Sequence, residues 1–377
     1  MSRIIVLGAG MVGKAIAVDL SVNHKVLSVD VDKQSLNFLS ANYPIETASA
    51  NLMEEETIFS LVKDCDLVVS AVPGFMGYNT VSTVIEAGKN IIDISFMSED
   101  FMDLNALAAK RGVTAITDCG VAPGMPNLIV GYYNEIMDIE RFEYVVGGLP
   151  KVKTYPFYYK APFSPIDVVE EYIRPARYKE KGQLLTKPAM SEPELVFFEK
   201  VGTLEGFHTD GLRSLLINLP HIPNMREKTL RYPGHLQLIT ALKAAGFFEK
   251  TPLTIHNTDI RPIDFTSKIL INDWRLSPDE PEFTVMRIEI QGKHEGVSKK
   301  IVYDLYDEYD NATRLSSMGR TTGFTATACA ELVLQGKFTG KGVFPLELIG
   351  MDPDNFGFVM NYLDHRGVRY KKTELKA

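Results

Sequence analysis

Three glycines and one acid carry the first chemical possibility in this chain. The apolar run Arg3-Ile-Ile-Val-Leu7 leads straight into Gly8-Ala-Gly10-Met-Val-Gly13, and Asp30 closes a second apolar run, Val26-Leu27-Ser28-Val29. A strand, a G-x-G-x-x-G turn, a helix and an acid about 20 residues on make the opening of a dinucleotide-binding βαβ unit. Gly8 then permits the tight turn, Gly10 lets backbone approach a pyrophosphate, and Gly13 lets the helix lie close to the sheet. N–H groups at the helix start, at Met11, Val12 and Gly13, would face the phosphates. Asp30 selects the nucleotide: a carboxylate at the tip of the second strand accepts hydrogen bonds from the ribose diol and repels a 2′-phosphate. Its neighbours Val31, Asp32 and Lys33 include no arginine, so NAD is favoured over NADP, with Lys33 the one dissenting residue.

Such a turn works only inside the right sheet. Residues 1 to about 137 alternate strand and helix patterns, which marks a doubly wound parallel sheet of Rossmann type. Strands are expected over 66–71, 90–94 and 113–117, with helices over 79–87 and 100–110 and another beginning near Pro126. Ligands of open α/β sheets lie beyond the carboxyl ends of the strands. The loops after Leu7, Ala71, Ile94 and Thr117 should therefore border one crevice. Ala71, Val72, Pro73, Ser95, Phe96 and the 118–125 loop would contact the nicotinamide half. Asn51 either touches the adenine side or caps the next helix. Pro73-Gly74 and Pro123-Gly124 also read as plain turns, and both readings can hold.

From about Ile139 the alternation stops. A strand is expected over 142–147, and 150–165 is rich in proline and tyrosine. Period-two strands over 285–291 and 300–306, joined by the eight residues 292–299, predict an antiparallel hairpin. Helices are expected over 235–247 and 262–274, the latter with proline near its first turn. An apolar helix over 322–334 and the tail beyond it are expected to return to the first domain. The fold class is thus α/β: a Rossmann domain over 1–137, a mixed α+β domain over 138–316 for substrate and dimerisation, and a C-terminal return over 317–377.

Composition narrows the function classes. Length 377 with 45% hydrophobic residues allows about two domains with sizeable cores. Forty basic against 48 acidic residues, a net charge of −8, disfavours nucleic acid and anionic membrane surfaces as partners. No apolar run approaches the ~18 residues of a membrane span, and the N-terminus enters a strand without signal-peptide features, so a cytoplasmic location is expected. Cys65, Cys119 and Cys329 are too scattered for a disulfide framework or a zinc motif, and no metal site is expected.

Several further blocks share an order and spacing. They are Asp93-Ile-Ser-Phe-Met97, Asp118-Cys-Gly-Val-Ala-Pro-Gly-Met125, Tyr144-Val-Val-Gly-Gly-Leu-Pro150, Leu204-Glu-Gly-Phe-His-Thr-Asp-Gly-Leu-Arg-Ser214, Leu230-Arg-Tyr-Pro-Gly-His235 and Met318-Gly-Arg-Thr-Thr-Gly-Phe324. With the glycine turn, they make the chain resemble the saccharopine dehydrogenase family, specifically its lysine 6-dehydrogenase-like branch, over essentially its whole length. The resemblance implies nicotinamide-dependent oxidation of a C–N bond in an amino acid derived from lysine, and assembly into dimers or larger oligomers; a homodimer is expected, the 285–306 hairpin being the kind of element that often builds a subunit interface. Glutamate-forming saccharopine enzymes typically carry an aspartate where this chain has Ala122, and an active-site tyrosine where it has Phe96. Those departures favour free lysine or a similar diamine acid over saccharopine. A protein that binds NAD without catalysis, as a sensor or assembly partner, is the alternative of another class.

Oxidising an amine-bearing carbon needs a base tuned near neutrality and an arginine fork with matching carboxylates for the zwitterion. His208 is the first choice for the base, since its unperturbed pKa lies near working pH and its surroundings are polar. Asp118, at the carboxyl end of a predicted strand, is the alternative, with helix capping as its plain role. Arg213 is the preferred clamp for the substrate α-carboxylate, with Ser214 beside it, or else it pairs with Asp210 on the same turn. Tyr158, Tyr159 and Lys160 would line the entry, although an aromatic pair is more often packing. Arg231 and His235 could equally hold the domains together. Cys119 reads as a small buried apolar residue rather than a reactive thiol.

Overall fold

The structure is a computed structural model that describes all residues except 162–164, 278 and 377. Part of the proline-rich stretch expected over 150–165 therefore lies outside the described residues. The chain forms two compact units: residues 1–139, 292–298 and 318–370 make the first, and 140–291, 299–317 and 371–377 the second.

In the first unit, β1 (Arg3–Leu7), β2 (Lys25–Asp30), β3 (Ile45–Ser49), β4 (Leu67–Ser70), β5 (Ile91–Asp93) and β6 (Thr114–Thr117) alternate with helices. These are α1 (Met11–Ser21), α2 (Lys33–Asn42), α3 (Glu55–Val62), α4 (Gly74–Glu86), α5 (Asn105–Arg111) and α6 (Met125–Asn134). A seventh strand, Gly342–Pro345, adds to the edge, giving the order Gly342–Pro345, β6, β5, β4, β1, β2, β3. Every pairing is parallel. The apolar runs are buried without alternation, as in Ile4, Ile5, Val6 and Leu7, because helices cover both faces. Strand order reverses at β1, which puts the crevice of such sheets at the glycine turn.

The apolar helix expected over 322–334 returns to this unit as Ser317–Leu334, longer than expected. Asp19 of α1 ties both this helix and the later helix Pro353–His365 to the unit: its carboxylate accepts from Thr327 Oγ1 at 2.5 Å, Tyr362 Oη at 2.7 Å and Arg366 Nε at 2.6 Å. The helix Leu346–Gly350 lies against α6, where a Cβ on Gly131 would collide with the Glu347 carbonyl and one on Gly350 with that of Leu128.

Two expectations need correction here. The helix predicted over 79–87 begins at Gly74, directly after Pro73. Pro73-Gly74 read as a plain turn, yet Gly74 opens the helix, and Gly77 within it is glycine because a Cβ there would strike the Ser95 side chain. The helix predicted over 100–110 is a 3₁₀ turn, Phe101–Leu104, followed by α5. Asp100 caps that turn through the Met102 N–H at 2.9 Å.

The second unit is built on a nine-stranded mixed sheet. Its labelled strands are β7 (Asp138–Pro150), β8 (Ala176–Glu180), β9 (Gln183–Lys187), β10 (Glu194–Phe198), β11 (Gly202–His208) and β12 (Met225–Arg231). The main path runs β10, β11, β12, β7, Glu282–His294, Val297–Glu308, Tyr370–Lys376, with β8 pairing β12 and β9. β12 is parallel to β7 and antiparallel to β11. The predicted eight-residue hairpin loop shrinks to Glu295-Gly296, because both residues take the positive φ (49° and 77°) that a two-residue turn requires. The last strand joins this sheet rather than the first unit. Among the described residues, no helix is long and apolar enough to cross a membrane, and no group of three His, Cys, Asp or Glu side chains could hold a metal.

Candidate active site

The glycine turn has the geometry its sequence requires. Gly8 has φ +104°, and a Cβ there would stand 2.5 Å from the Ala71 carbonyl oxygen. Gly13 abuts the Gly8 carbonyl and has no room for a side chain, whereas nothing lies within 4 Å of a Cβ built on Gly10. That open side is where backbone can meet a diphosphate. Gly10 supplies no side-chain cap to α1, so the first-turn N–H groups at Met11, Val12 and Gly13 face outward for an anion. Asp30 reaches back over the turn: Oδ2 accepts the Ala9 N–H at 2.6 Å and Oδ1 the Asp32 N–H at 2.9 Å. Each oxygen keeps acceptor capacity for a diol. A dinucleotide fits these residues.

Val31 is an exposed neighbour, while Asp32 caps α2 through the Gln34 N–H at 3.0 Å. Asn51 spends its amide locally, accepting from the Met53 N–H at 3.1 Å and donating to Glu54 at 2.9 Å. Next to it a groove lined by Leu52, Met53, Phe75, Met76 and Asn79 opens between the starts of α3 and α4. Phe75 and Met53 are exposed there, and neither was singled out from the sequence.

Ala71, Val72 and Pro73 follow β4, with Ala71 against Gly8 and Pro73 leading into α4. Ser95 is buried, and its hydroxyl and N–H donate to Asp93 Oδ2 at 2.7 and 3.1 Å. Burial pushes the Asp93 carboxyl up to about 7, with the Ser95 hydrogen bonds opposing and the neighbouring Asp118 charge assisting. Asp118 is buried at the end of β6 with φ +50°. Phe96 is half-buried on the β5 loop. Cys119 is sealed in beside Cys329, and burial drives its thiol far above the ordinary range, so it is inert.

The second unit brings His208, Asp210, Arg213 and Ser214 onto one stretch. His208 ends β11, is 1% exposed, stacks on Tyr178 at 5.3 Å and places Nε2 at 3.1 Å from Glu192 Oε2. Burial lowers its pKa, with the Glu192 hydrogen bond opposing, so the ring is neutral near pH 7. Asp210 does not pair with Arg213. Arg177 takes its carboxylate instead, through Nε at 2.9 Å and Nη2 at 2.8 Å, while the Arg177 N–H adds a bond at 3.1 Å. Its charge is therefore committed inside the protein rather than held open for a ligand. Arg213 is buried at φ +42°, and its charge, after burial, lowers the pKa of Arg174.

Tyr159 is a correction. At 2% exposure it lies in the core of this unit rather than at an entrance, because Arg231 stacks on its ring at 4.3 Å and Trp274 packs at 5.4 Å. Arg231 pairs with Glu171 at 2.6 Å and Tyr172 at 3.2 Å, and His235 bonds Tyr172 at 2.9 Å and the Phe157 carbonyl at 2.8 Å. These groups form a buried structural network. Arg177 and Glu227 were missed from the sequence. Glu227, Thr229 and Arg231 share one face of β12 by period two, and that polar face was the available signal.

Two family profiles match the chain: "Saccharopine dehydrogenase NADP binding domain" over residues 4–116 and "Saccharopine dehydrogenase C-terminal domain" over residues 120–368. The mitochondrial alpha-aminoadipic semialdehyde synthase of Mus musculus is 22% identical over 92% of this chain and 46% of its own length, so the chain spans about half of that relative. Carboxyaminopropylagmatine dehydrogenase of Synechocystis sp. is 21% identical, with 94% of both chains covered. The apo saccharopine dehydrogenase (L-Glu forming) from Saccharomyces cerevisiae shares the fold, with a TM-score of 0.79 over 100% of both chains at 18% identity.

Proposed function

The chain belongs to the saccharopine dehydrogenase family, its first unit a pyridine-nucleotide-binding domain, and from there we propose that it is an NAD-dependent amino-acid oxidoreductase whose preferred reaction is ε-deamination of L-lysine. The observation that carries the substrate reading is the pair Ala122 and Phe96, which stand where resemblance to glutamate-forming saccharopine enzymes calls for an aspartate and a tyrosine. Loss of both polar groups suits a primary amine without a glutamate moiety. Asp30 supports NAD, because a fixed carboxylate repels a 2′-phosphate. The NADP label of the matching profile is the competing consideration.

The nicotinamide, when bound, supplies the hydride acceptor. Arg213 and Ser214 hold the substrate carboxylate, and His208, neutral near pH 7, takes the ammonium proton before the C–H bond breaks. Asp118 is the alternative base. A second reading, oxidation of saccharopine, is favoured by the match of residues 120–368 to the saccharopine dehydrogenase C-terminal domain. The protein acts as a homodimer in this proposal, which sedimentation would check.

Nucleotide reduction at alkaline pH, measured with lysine, ornithine and saccharopine against NAD and NADP, decides between these readings. Turnover of saccharopine without lysine would overturn the preferred one. Nucleotide binding with no turnover of any amine would favour the sensor instead. Comparing the pH profiles of His208→Asn and Asp118→Asn identifies the base.

A further inference from the structure

Under residues 209–214 lies a carboxyl that solvent does not reach. Glu227, on β12, is 3% exposed. Its two oxygens lie 2.8 and 2.7 Å from the Thr209 hydroxyl, and Oε2 accepts the Gly211 N–H at 3.1 Å. Thr209 Oγ1 is also 2.8 Å from Thr229 Oγ1. The Tyr144 hydroxyl donates to the Gly211 carbonyl at 2.8 Å. The backbone sits so low on this floor that a Cβ on Gly211 would stand 2.7 Å from Tyr144 Oη and 2.8 Å from Glu227 Cδ. Arg177 fastens the next residue back, Asp210. Beyond these two anchors the chain turns through Arg213 in the left-handed region and reaches Ser214, whose buried hydroxyl has no hydrogen-bond partner among the described residues. A left-handed arginine persists only where its surroundings over-determine the backbone.

We propose that Glu227 is a positioning residue for this site: it holds residues 209–211 so that Arg213 and Ser214 present one fixed geometry to a substrate carboxylate. The inference rests on the reading of Arg213 as the carboxylate clamp. Glu227 itself touches no substrate. A carboxyl suits the task because it pairs with two groups of the loop, the Thr209 hydroxyl and the Gly211 amide, where water cannot replace it. The Thr209 hydroxyl has one proton. It either donates to an ionised Glu227 and accepts from Thr229, or donates to Thr229 and accepts from a protonated Glu227. Both circuits close. Glutamine closes the second, its NH₂ donating to Thr209 and its carbonyl accepting from Gly211. Alanine closes neither.

The test compares the wild type with Glu227→Gln, Glu227→Ala and Thr209→Val. Three quantities are read: amine KM and kcat, nucleotide Kd, and hydrogen exchange of the amides in 209–214. Glu227→Ala and Thr209→Val should raise amine KM about 10- to 100-fold with kcat within about threefold, since the loss is of substrate binding held by geometry. Nucleotide Kd should not move, exchange in the loop should quicken, and Glu227→Gln should restore KM to within about threefold of wild type. An unchanged KM in Glu227→Ala, or a fall in kcat alone, overturns the proposal. Should Glu227→Ala not fold, Thr209→Val decides by the same criteria. Should the wild type oxidise no amine, the functional reading fails, yet exchange still judges Glu227. Loop exchange unchanged in the variants overturns the anchoring role, and quickening confined to the loop upholds it.

Discussion

Single side chains in the second unit set its response to pH. Burial, reinforced by the charges of Glu171 and Asp210 and opposed by the Thr209 and Gly211 bonds, pushes Glu227 up to about 8. The folded chain therefore holds a proton at neutrality that an unfolded glutamate releases. That contribution to stability is complete below the ordinary carboxylate range and is lost as pH rises through about 8. His235 works in the opposite direction. Burial, with Arg231 adding repulsion, lowers it to about 3, so its contribution is present above its ordinary 6.5 and is lost as pH falls towards 3. Urea unfolding of the wild type at pH 5 and pH 8 should show a loss on the alkaline side that Glu227→Gln removes. Acid unfolding should be less steep in His235→Gln. The residue types in the 209–214 stretch were readable as polar and chemically able. Their pairing was not, because Arg177 lies 33 residues from Asp210, and only β8 and β11 meeting through β12 brings the two together.

Elements were legible where one period dominates. The strands of the parallel sheet are short unbroken apolar runs, and the 282–308 hairpin announces itself by alternation. Elements were misread where a glycine answers a neighbour rather than a turn. Position 77 of α4 admits only glycine because Ser95 leaves no room for a side chain, a contact no local pattern encodes. The same logic governs the crossing of α6 with Leu346–Gly350, where Gly131 and Gly350 let two backbones touch. A methyl at Gly131 must push that pair apart. Gly131→Ala should cost about 1–3 kcal/mol of stability, the usual penalty of overpacking, and denaturant unfolding would measure it. An unchanged midpoint would mean that the crossing yields freely.

At the scale of the whole molecule, nucleotide binding should be visible as stability. A ligand bound only by the native state, at about 100 times its Kd, adds about 2.7 kcal/mol. NAD should therefore raise the thermal midpoint of the wild type. Asp30→Ala should reduce that rise by weakening binding about 10- to 100-fold, the worth of hydrogen bonds to a charged acceptor. Calorimetry measures both. An identical shift in wild type and variant would remove Asp30 from the nucleotide site. Chain order alone predicted a Rossmann unit followed by a mixed unit, and the C-terminal helix returning to the first. It did not predict that the final strand, Tyr370–Lys376, would leave again for the second sheet. That seven-residue run is mostly charged and largely exposed, so its partner is chosen by an available sheet edge rather than by its own pattern.

The sequence by itself determined the dinucleotide turn, the parallel sheet around it and the family, because these rest on neighbours along the chain: glycine spacing, apolar runs and an acid at a strand tip. Tertiary structure alone decided which polar groups are spent and which are poised. Tyr159 became core, Asp210 was claimed by Arg177, and Glu227 emerged as the floor of the loop. Such assignments depend on burial and on partners far away in sequence, and both exist only once the sheets have formed.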